Sequence, residues 1–268
     1  MKTIFPIGGN INKKNPAVLR EFVRRAGGDQ ARIAILPQAS ALEDTGPYYT
    51  QLFMDLGVAH AESLNFKSRA EAGAEGFSRA IQTATGVFIG GGAQLRLTTL
   101  IGGTPLEAAL REALNRGTPI SGTSAGAAVM PRVMAAYGKG GSTPRDKIAQ
   151  FVPGLGLTDR FAIDQHFRQR DRLGRLLYVI TTHPGLIGLG IDEDTAAIIE
   201  EDESVTVCGS GAVTVVDGSG ISATDAAEIE NGGPVAVANI RIHILTSGCT
   251  YNARTGEVNI PPKISLAE

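Results

Sequence analysis

The sequence predicts an α/β fold: a mostly parallel sheet with helices on both faces, followed by a strand-rich C-terminal part. Two observations carry this. Up to about residue 186, short apolar runs alternate with helix-period segments. Beyond that point apolar runs follow one another with little helix between them. A third observation bears on function. Glycine-rich turns stand where several of the apolar runs end, and in a parallel sheet the carboxyl ends of strands are where sites form.

Each element has its own signal. Residues 4–7 read as a first strand, ending in Gly8-Gly9-Asn10. Residues 17–25 place Leu19, Phe22, Val23 and Ala26 at helical spacing, and Gly27-Gly28 stops the helix. Residues 32–36 form a strand closed by Pro37; residues 48–56 and 75–83 are helices. Residues 86–89 form a strand running into Gly90-Gly91-Gly92. Leu106, Ala109, Leu110, Ala113 and Leu114 mark the next helix, with Gly117 just past its end, and a short strand begins at Pro119. Later strand-like runs are 187–191, 196–199, 204–207, 212–216 and 241–245, with Asp217-Gly218 a tight-turn signal. There is no linker and no internal repeat, so residues 1–268 are expected to form a single hydrolytic domain.

Composition narrows the function classes. With 43% apolar and 19% charged residues, the chain has enough apolar side chains for a core and no sign of wholesale disorder. A formal net charge of −2 gives no general attraction to nucleic acid or anionic membrane. Cys208 and Cys249 stand far apart, form no CxxC pair and read as free thiols. No zinc or calcium spacing occurs, so neither a metal nor a cofactor is expected. The apolar stretch near the start, residues 4–7, contains Pro6 and is shorter than the roughly 7–15 residues of a signal-peptide core. No run reaches membrane-span length, and a cytoplasmic protein is expected.

The chemistry centres on Gly122-Thr123-Ser124-Ala125-Gly126, between a strand and an Ala-rich segment. A nucleophile elbow needs small neighbours, because the turn is tight and other side chains would clash. Such a turn lifts the serine hydroxyl out of the sheet and sets the Ala125 N–H as an oxyanion donor. The glycines Gly91 and Gly92 can supply a second donor. They do not make a phosphate loop, since no Gly-Lys-Ser/Thr follows.

Serine needs a base. Among His60, His166, His183 and His243, only His166 falls just after a short apolar run, 161–164, where Asp164-Gln165-His166-Phe167 is expected to open a helix. On that helix Arg168, Arg172 and Arg175 would share a face suited to a carboxylate, opposite a buried stripe of Leu173, Leu176, Leu177 and Ile180. The same arginines also fit a solvated face paired with Asp171. A carboxylate to orient the imidazole is available in Asp192-Glu193-Asp194, after the strand at 187–191, and spacing does not choose among the three. The Gly-rich polar segment 137–147 reads either as a mobile loop over the site or as a surface loop.

GTSAGA at 122–127, GLGLTDRFAIDQHFRQRDRLGRL at 154–176 and GLGIDEDTA at 188–196, with GGGAQ at 90–94 and PIGG at 6–9, resemble the cyanophycinase family. The likeness covers most of the chain up to about residue 200, and its arginine-containing run is the most specific part. The resemblance implies a class I glutamine amidotransferase-like, flavodoxin-like fold and an intracellular serine exopeptidase, usually a homodimer. The implied substrate is cyanophycin, a polyaspartate carrying arginine on each β-carboxyl, released as β-Asp-Arg dipeptides. It also implies Ser124 as nucleophile, His166 as base and Glu193 as acid. Gln94, Asp164, Gln165, Arg170, Arg172 and Arg175 would bind substrate or support the site. A related aspartyl dipeptidase and a non-catalytic binding protein on the same scaffold are the alternatives.

Overall fold

A computed structural model describes residues 1–262. In chain order, its first half contains β1 (Thr3–Ile7), α1 (Ala17–Arg25), β2 (Arg32–Leu36), α2 (Thr45–Asp55), β3 (His60–Ser63), α3 (Arg69–Ala72), α4 (Glu75–Thr83), β4 (Gly86–Ile89), α5 (Gln94–Ile101), α6 (Pro105–Asn115), β5 (Ile120–Thr123) and α7 (Ala125–Ala128). There follow β6 (Val133–Gly138), β7 (Ala149–Pro153), β8 (Phe161–Gln165), α8 (Leu173–Thr182) and β9 (Ile187–Ile191). The C-terminal part is β10 (Thr195–Glu200), β11 (Ser204–Gly209), β12 (Ala212–Asp217), β13 (Ala223–Thr224), β14 (Val237–Ala238), β15 (Arg241–Thr246), β16 (Thr250–Asn252) and β17 (Val258–Asn259).

The main sheet has nine strands in the order β17-β16-β11-β10-β1-β5-β4-β2-β3. The strands from β1 to β3 run parallel, and β10 joins β1 antiparallel, as do the strands beyond it to one another. The strand-rich C-terminal part therefore extends the parallel sheet. It also helps to build a second sheet, β15-β12-β9-β8, in which β8 and β9 are parallel. Fully buried strands explain why β1, β4, β5 and β9 read as unbroken apolar or small-residue runs. Two clusters of buried side chains cover the two faces of the main sheet, one holding Leu97, Leu106 and Leu110, the other Leu19, Phe22 and Phe53. Among the described residues no helix is long and apolar enough to cross a membrane.

Two local expectations need correction. α2 begins at Thr45, not 48, because Pro47 lies in its first turn, where a missing N–H costs no hydrogen bond. No helix starts at 164. Residues 168–170 make one 3₁₀ turn, Asp171 takes φ 48°, and α8 begins only at Leu173. The tight turn expected at Asp217-Gly218 is present: the Ser219 N–H donates to Asp217 Oδ1 at 2.8 Å and the Ile221 N–H to Gly218 O at 3.0 Å, before β13 and β14.

Candidate active site

Ser124 follows β5, His166 follows β8 and Glu193 follows β9, so the carboxyl ends of parallel strands from both sheets meet at one place. The Ser124 turn is built by close backbone packing. Ser124 takes φ 53°, ψ −110°, a strained conformation for a residue with a side chain. A Cβ at Gly122 would lie 2.6 Å from the Gly126 backbone, and one at Gly126 would collide with Ile89 O, so both ends of the motif must be glycine. The Ser124 N–H donates to Ile7 O at 3.0 Å, which ties the turn to β1. The helix after it, α7, is a single turn of four residues, so the Ala125 N–H stands at the start of one short turn and not at the pole of a long helix.

Gly8 and Gly9 join the two sheets. Gly8 O accepts from the His166 N–H at 2.7 Å, and Gly9 O accepts from the Asp194 N–H at 2.8 Å. Gly9 has φ 105°, and a Cβ there would collide with the His166 ring. His166 itself sits at φ 46°.

The side chains form a hydrogen-bonded chain. Ser124 Oγ is 2.9 Å from His166 Nε2, and His166 Nδ1 is 2.7 Å from Glu193 Oε1. A carboxylate only accepts, so Nδ1 carries the hydrogen and Nε2 is left to accept from the serine. Asn10, not singled out in the sequence, donates through Nδ2 to Glu193 Oε2 at 2.8 Å. The positive φ of Asn10 (43°) was available only as a hint, from its place directly after Gly8-Gly9. Of the three neighbouring acids, Glu193 alone reaches the imidazole. Asp192 is buried and accepts from the N–H groups of Arg168 and Ala212, and Asp194 accepts from Asn12 N–H and the Ser210 hydroxyl.

Burial holds the His166 pKa below its ordinary value, and the Arg170 and Arg172 cations add to this. The Glu193 hydrogen bond and charge pull the other way and are outweighed. Glu193 is pushed up by burial, but its bonds from Asn10 and His166 hold it below the usual carboxylate range. The imidazole is thus kept neutral and the carboxylate ionised near neutral pH.

The arginines do not share a solvent-facing helical stripe. Arg168 is largely exposed, while Arg172 and Arg175 turn inward onto Asp164, whose side chain is 4% exposed. Arg175 binds both Asp164 oxygens through Nε and Nη2, and Arg172 Nη1 binds Asp164 Oδ1 and Gln165 O. Burial, reinforced by the neighbouring cations, brings the Arg172 pKa down to about 10. Arg170 stays exposed beside His166, and Gln165 Oε1 is 3.5 Å from Ser124 Oγ. Gln94 Nε2 donates to the Ala135 and Ala136 carbonyls, fixing β6. Gly91 lines the cleft beside Ser124, and Gly92 follows it at φ 143°. The segment after β6 is tied down, with Gly141 N–H on Asp171 O and Gly174 N–H on Gly141 O.

The expected stripe of α8 is found at Leu176, Leu177 and Ile180, with Leu173 packed against it. The other histidines lie elsewhere: His60 at the start of β3, His183 capping α8, and His243 against Tyr251. Cys208 and Cys249 are free thiols. Among the described residues, no group of three or more His, Cys, Asp or Glu side chains could hold a metal ion. The cleft above Ser124 and His166 has a volume of about 540 Å³.

A strained serine on an elbow, in hydrogen-bond contact with a histidine, defines an α/β hydrolase of the serine type. The sequence profile of Peptidase family S51 matches residues 6–207. A cyanophycinase of Synechococcus elongatus is 40% identical over 266 residues, covering 97% of this chain and 83% of that protein. A cyanophycinase of Geminocystis herdmanii is 38% identical over 257 residues, with 94% of each chain covered. A crystal structure of a peptidase from an acI-B1 Actinobacterium superposes with a TM-score of 0.67 at 19% identity, covering 94% of this chain and 97% of the other, which supports the fold. The chain belongs to peptidase family S51 and is a serine peptidase.

Proposed function

We propose that this protein is a cyanophycinase, a serine exopeptidase that releases β-Asp-Arg dipeptides from cyanophycin through an acyl-enzyme on Ser124. The observation that carries the mechanism is the continuous Ser124–His166–Glu193 chain, with contacts of 2.9 and 2.7 Å. The Ser124 oxygen attacks the scissile carbonyl carbon while His166 Nε2 takes the hydroxyl proton. Glu193 stabilises the resulting imidazolium. The N–H groups of Ala125, Gly91 and Gly92 stabilise the oxyanion. Collapse of the tetrahedral species breaks the C–N bond, and the proton passes from His166 to the leaving amine. Water then attacks the ester with His166 again as base, which restores the serine.

Substrate recognition divides the arginines. Arg170, exposed beside His166, is free to pair with a substrate carboxylate, and Gln165 faces the reacting serine. Arg172, Arg175 and Asp164 act as positioning residues: their ion pairs fix the Gln165-His166 backbone. Gln94 supports the site by holding β6. The family likeness further supports a cytoplasmic homodimer whose residues 1–268 form one hydrolytic domain.

The test is to incubate the purified protein with cyanophycin and identify the soluble products by mass spectrometry. β-Asp-Arg dipeptide is expected as the main product. Inert polymer, with hydrolysis of simple α-Asp dipeptides instead, would assign the protein as an aspartyl dipeptidase.

A further inference from the structure

The cleft over Ser124 has a wall that the catalytic groups do not use. It is formed by the loop after β1, carrying Lys13, and by the start of α2, carrying Asp44, Tyr48 and Tyr49. The Lys13 ammonium lies 5.3 Å from the centroid of the Tyr48 ring. Asp44 is one helical turn before Tyr48, whose N–H donates to Asp44 O at 2.8 Å. The Tyr48 ring meets Tyr49 edge to face at 5.1 Å, and Tyr49 in turn packs on Phe88 of β4 at 4.8 Å. This wall is therefore anchored in the core. Lys13 and Asp44 are exposed, and neither forms an ion pair with another described residue.

A lone lysine and a lone aspartate are ordinary on a protein surface. Here they share a cleft with Ser124, and both adjoin an exposed tyrosine: Asp44 stands one helical turn before Tyr48, and the Lys13 ammonium lies over the Tyr48 ring. Each repeat of the polymer offers one α-carboxylate and one guanidinium at the two ends of an arginine side chain, and is nearly neutral overall. Net charge cannot select such a ligand, whereas a cation and an anion at fixed spacing can.

We propose that Lys13, Asp44 and Tyr48 form the subsite that reads the arginine attached to the substrate's β-carboxyl. Asp44 takes the guanidinium through paired N–H···O bonds, Lys13 takes the α-carboxylate, and the Tyr48 ring packs along the methylene chain between them. This deepens the proposed cyanophycinase reading and rests on it. None of these three residues belongs to the arginine-rich segment 168–175, which does not line this cleft, so the subsite adds a second recognition element rather than restating the first.

The test separates binding from turnover. In a Ser124→Ala background, titration calorimetry is run with a short β-Asp-Arg peptide, its citrulline analogue and its arginine-amide analogue. Asp44→Asn is expected to weaken binding of the arginine peptide about tenfold and to leave the citrulline analogue unaffected. Lys13→Met is expected to weaken the free acid but not the amide. Both positions are exposed, and unchanged melting temperatures establish that the fold is intact. If both variants keep the parent's full preference for the charged peptide, the subsite assignment is wrong. Release of β-Asp-Arg from polymer by the unmodified protein is scored separately: its absence would overturn the cyanophycinase reading, while the binding preferences decide the subsite.

Discussion

Ser124 and His166 both leave the carboxyl end of a strand with positive φ, 53° and 46°, yet the two turns are held in opposite ways. The serine turn is secured by volume. Gly122 and Gly126 pack back to back, Ala125 and Ala127 are fully buried, and among the described residues no charged side chain hydrogen-bonds to the backbone of the bend. The histidine turn is secured by charge. Asp164 precedes it, two arginines grip that carboxylate, and one of them also binds the Gln165 carbonyl next to His166. The difference teaches that the proposed nucleophile and its proposed base respond to different insults. One half fails when a side chain gains atoms, the other when a charge is lost.

The largest effect tests the serine half. Ser124→Ala removes one oxygen from a turn that already favours small residues, so the fold should survive. Loss of the nucleophile in a comparable triad costs on the order of 10⁶ in kcat. Turnover of polymer and a thermal melt, measured on the same preparation, check this. A variant that still releases dipeptide near the wild-type rate would remove Ser124 from its role.

The next tests the histidine half, and its main readout is stability. Asp164→Asn leaves Arg172 and Arg175 buried with no anion between them. Breaking a buried ion pair from one side costs roughly 3–5 kcal/mol, against the ~0.5 kcal/mol or less of an ordinary surface change. A urea midpoint shifted well below wild type, with the slope unchanged, is expected. A midpoint within error of wild type would mean that the Asp164 cluster does not carry this turn, and the contrast between the two halves would collapse.

The same contrast explains what could be read from the sequence. The elbow was legible because its logic is local: Gly122, Ser124 and Gly126 constrain one another within five residues. The alternation of strands and helices was legible for the same reason. Spacing alone could not choose the histidine's carboxylate partner, and only the family resemblance pointed to Glu193, because Asp192, Glu193 and Asp194 point to different neighbours only after β9 is placed against β8 and β12. The arginines misled for a related reason. A helical wheel drawn from residue 164 presumes helical dihedrals, but His166 and Asp171 adopt positive φ, a conformation that Asp and His take more readily than most residues but usually do not. Once the turn is broken there, Arg172 and Arg175 face Asp164 rather than solvent.

The smallest effect sharpens the comparison through pH. His166 must be neutral to accept the serine proton, so kcat/KM rises as pH rises through its ionisation. An ordinary histidine titrates at about 6.5. Burial and the Arg170 and Arg172 cations disfavour the imidazolium and set the midpoint below that value, although Glu193 alone would have raised it. The two charged neighbours that can be changed without entering the core act with opposite signs. Arg170→Gln removes a cation, makes the imidazolium less costly and should move the acid-side midpoint of kcat/KM upward, toward neutrality. Glu193→Gln removes the hydrogen bond and the charge that favour the imidazolium, so the midpoint should move downward. Its rate should also fall severely, on the order of 10⁴ by the orientation effect known for triads, while remaining above that of Ser124→Ala. Profiles of both variants against wild type, at constant ionic strength, provide the check. Shifts of the same sign in both would mean that His166 is not the titrating base. No shift in either would mean that charge does not govern this half of the site, whatever it does for stability.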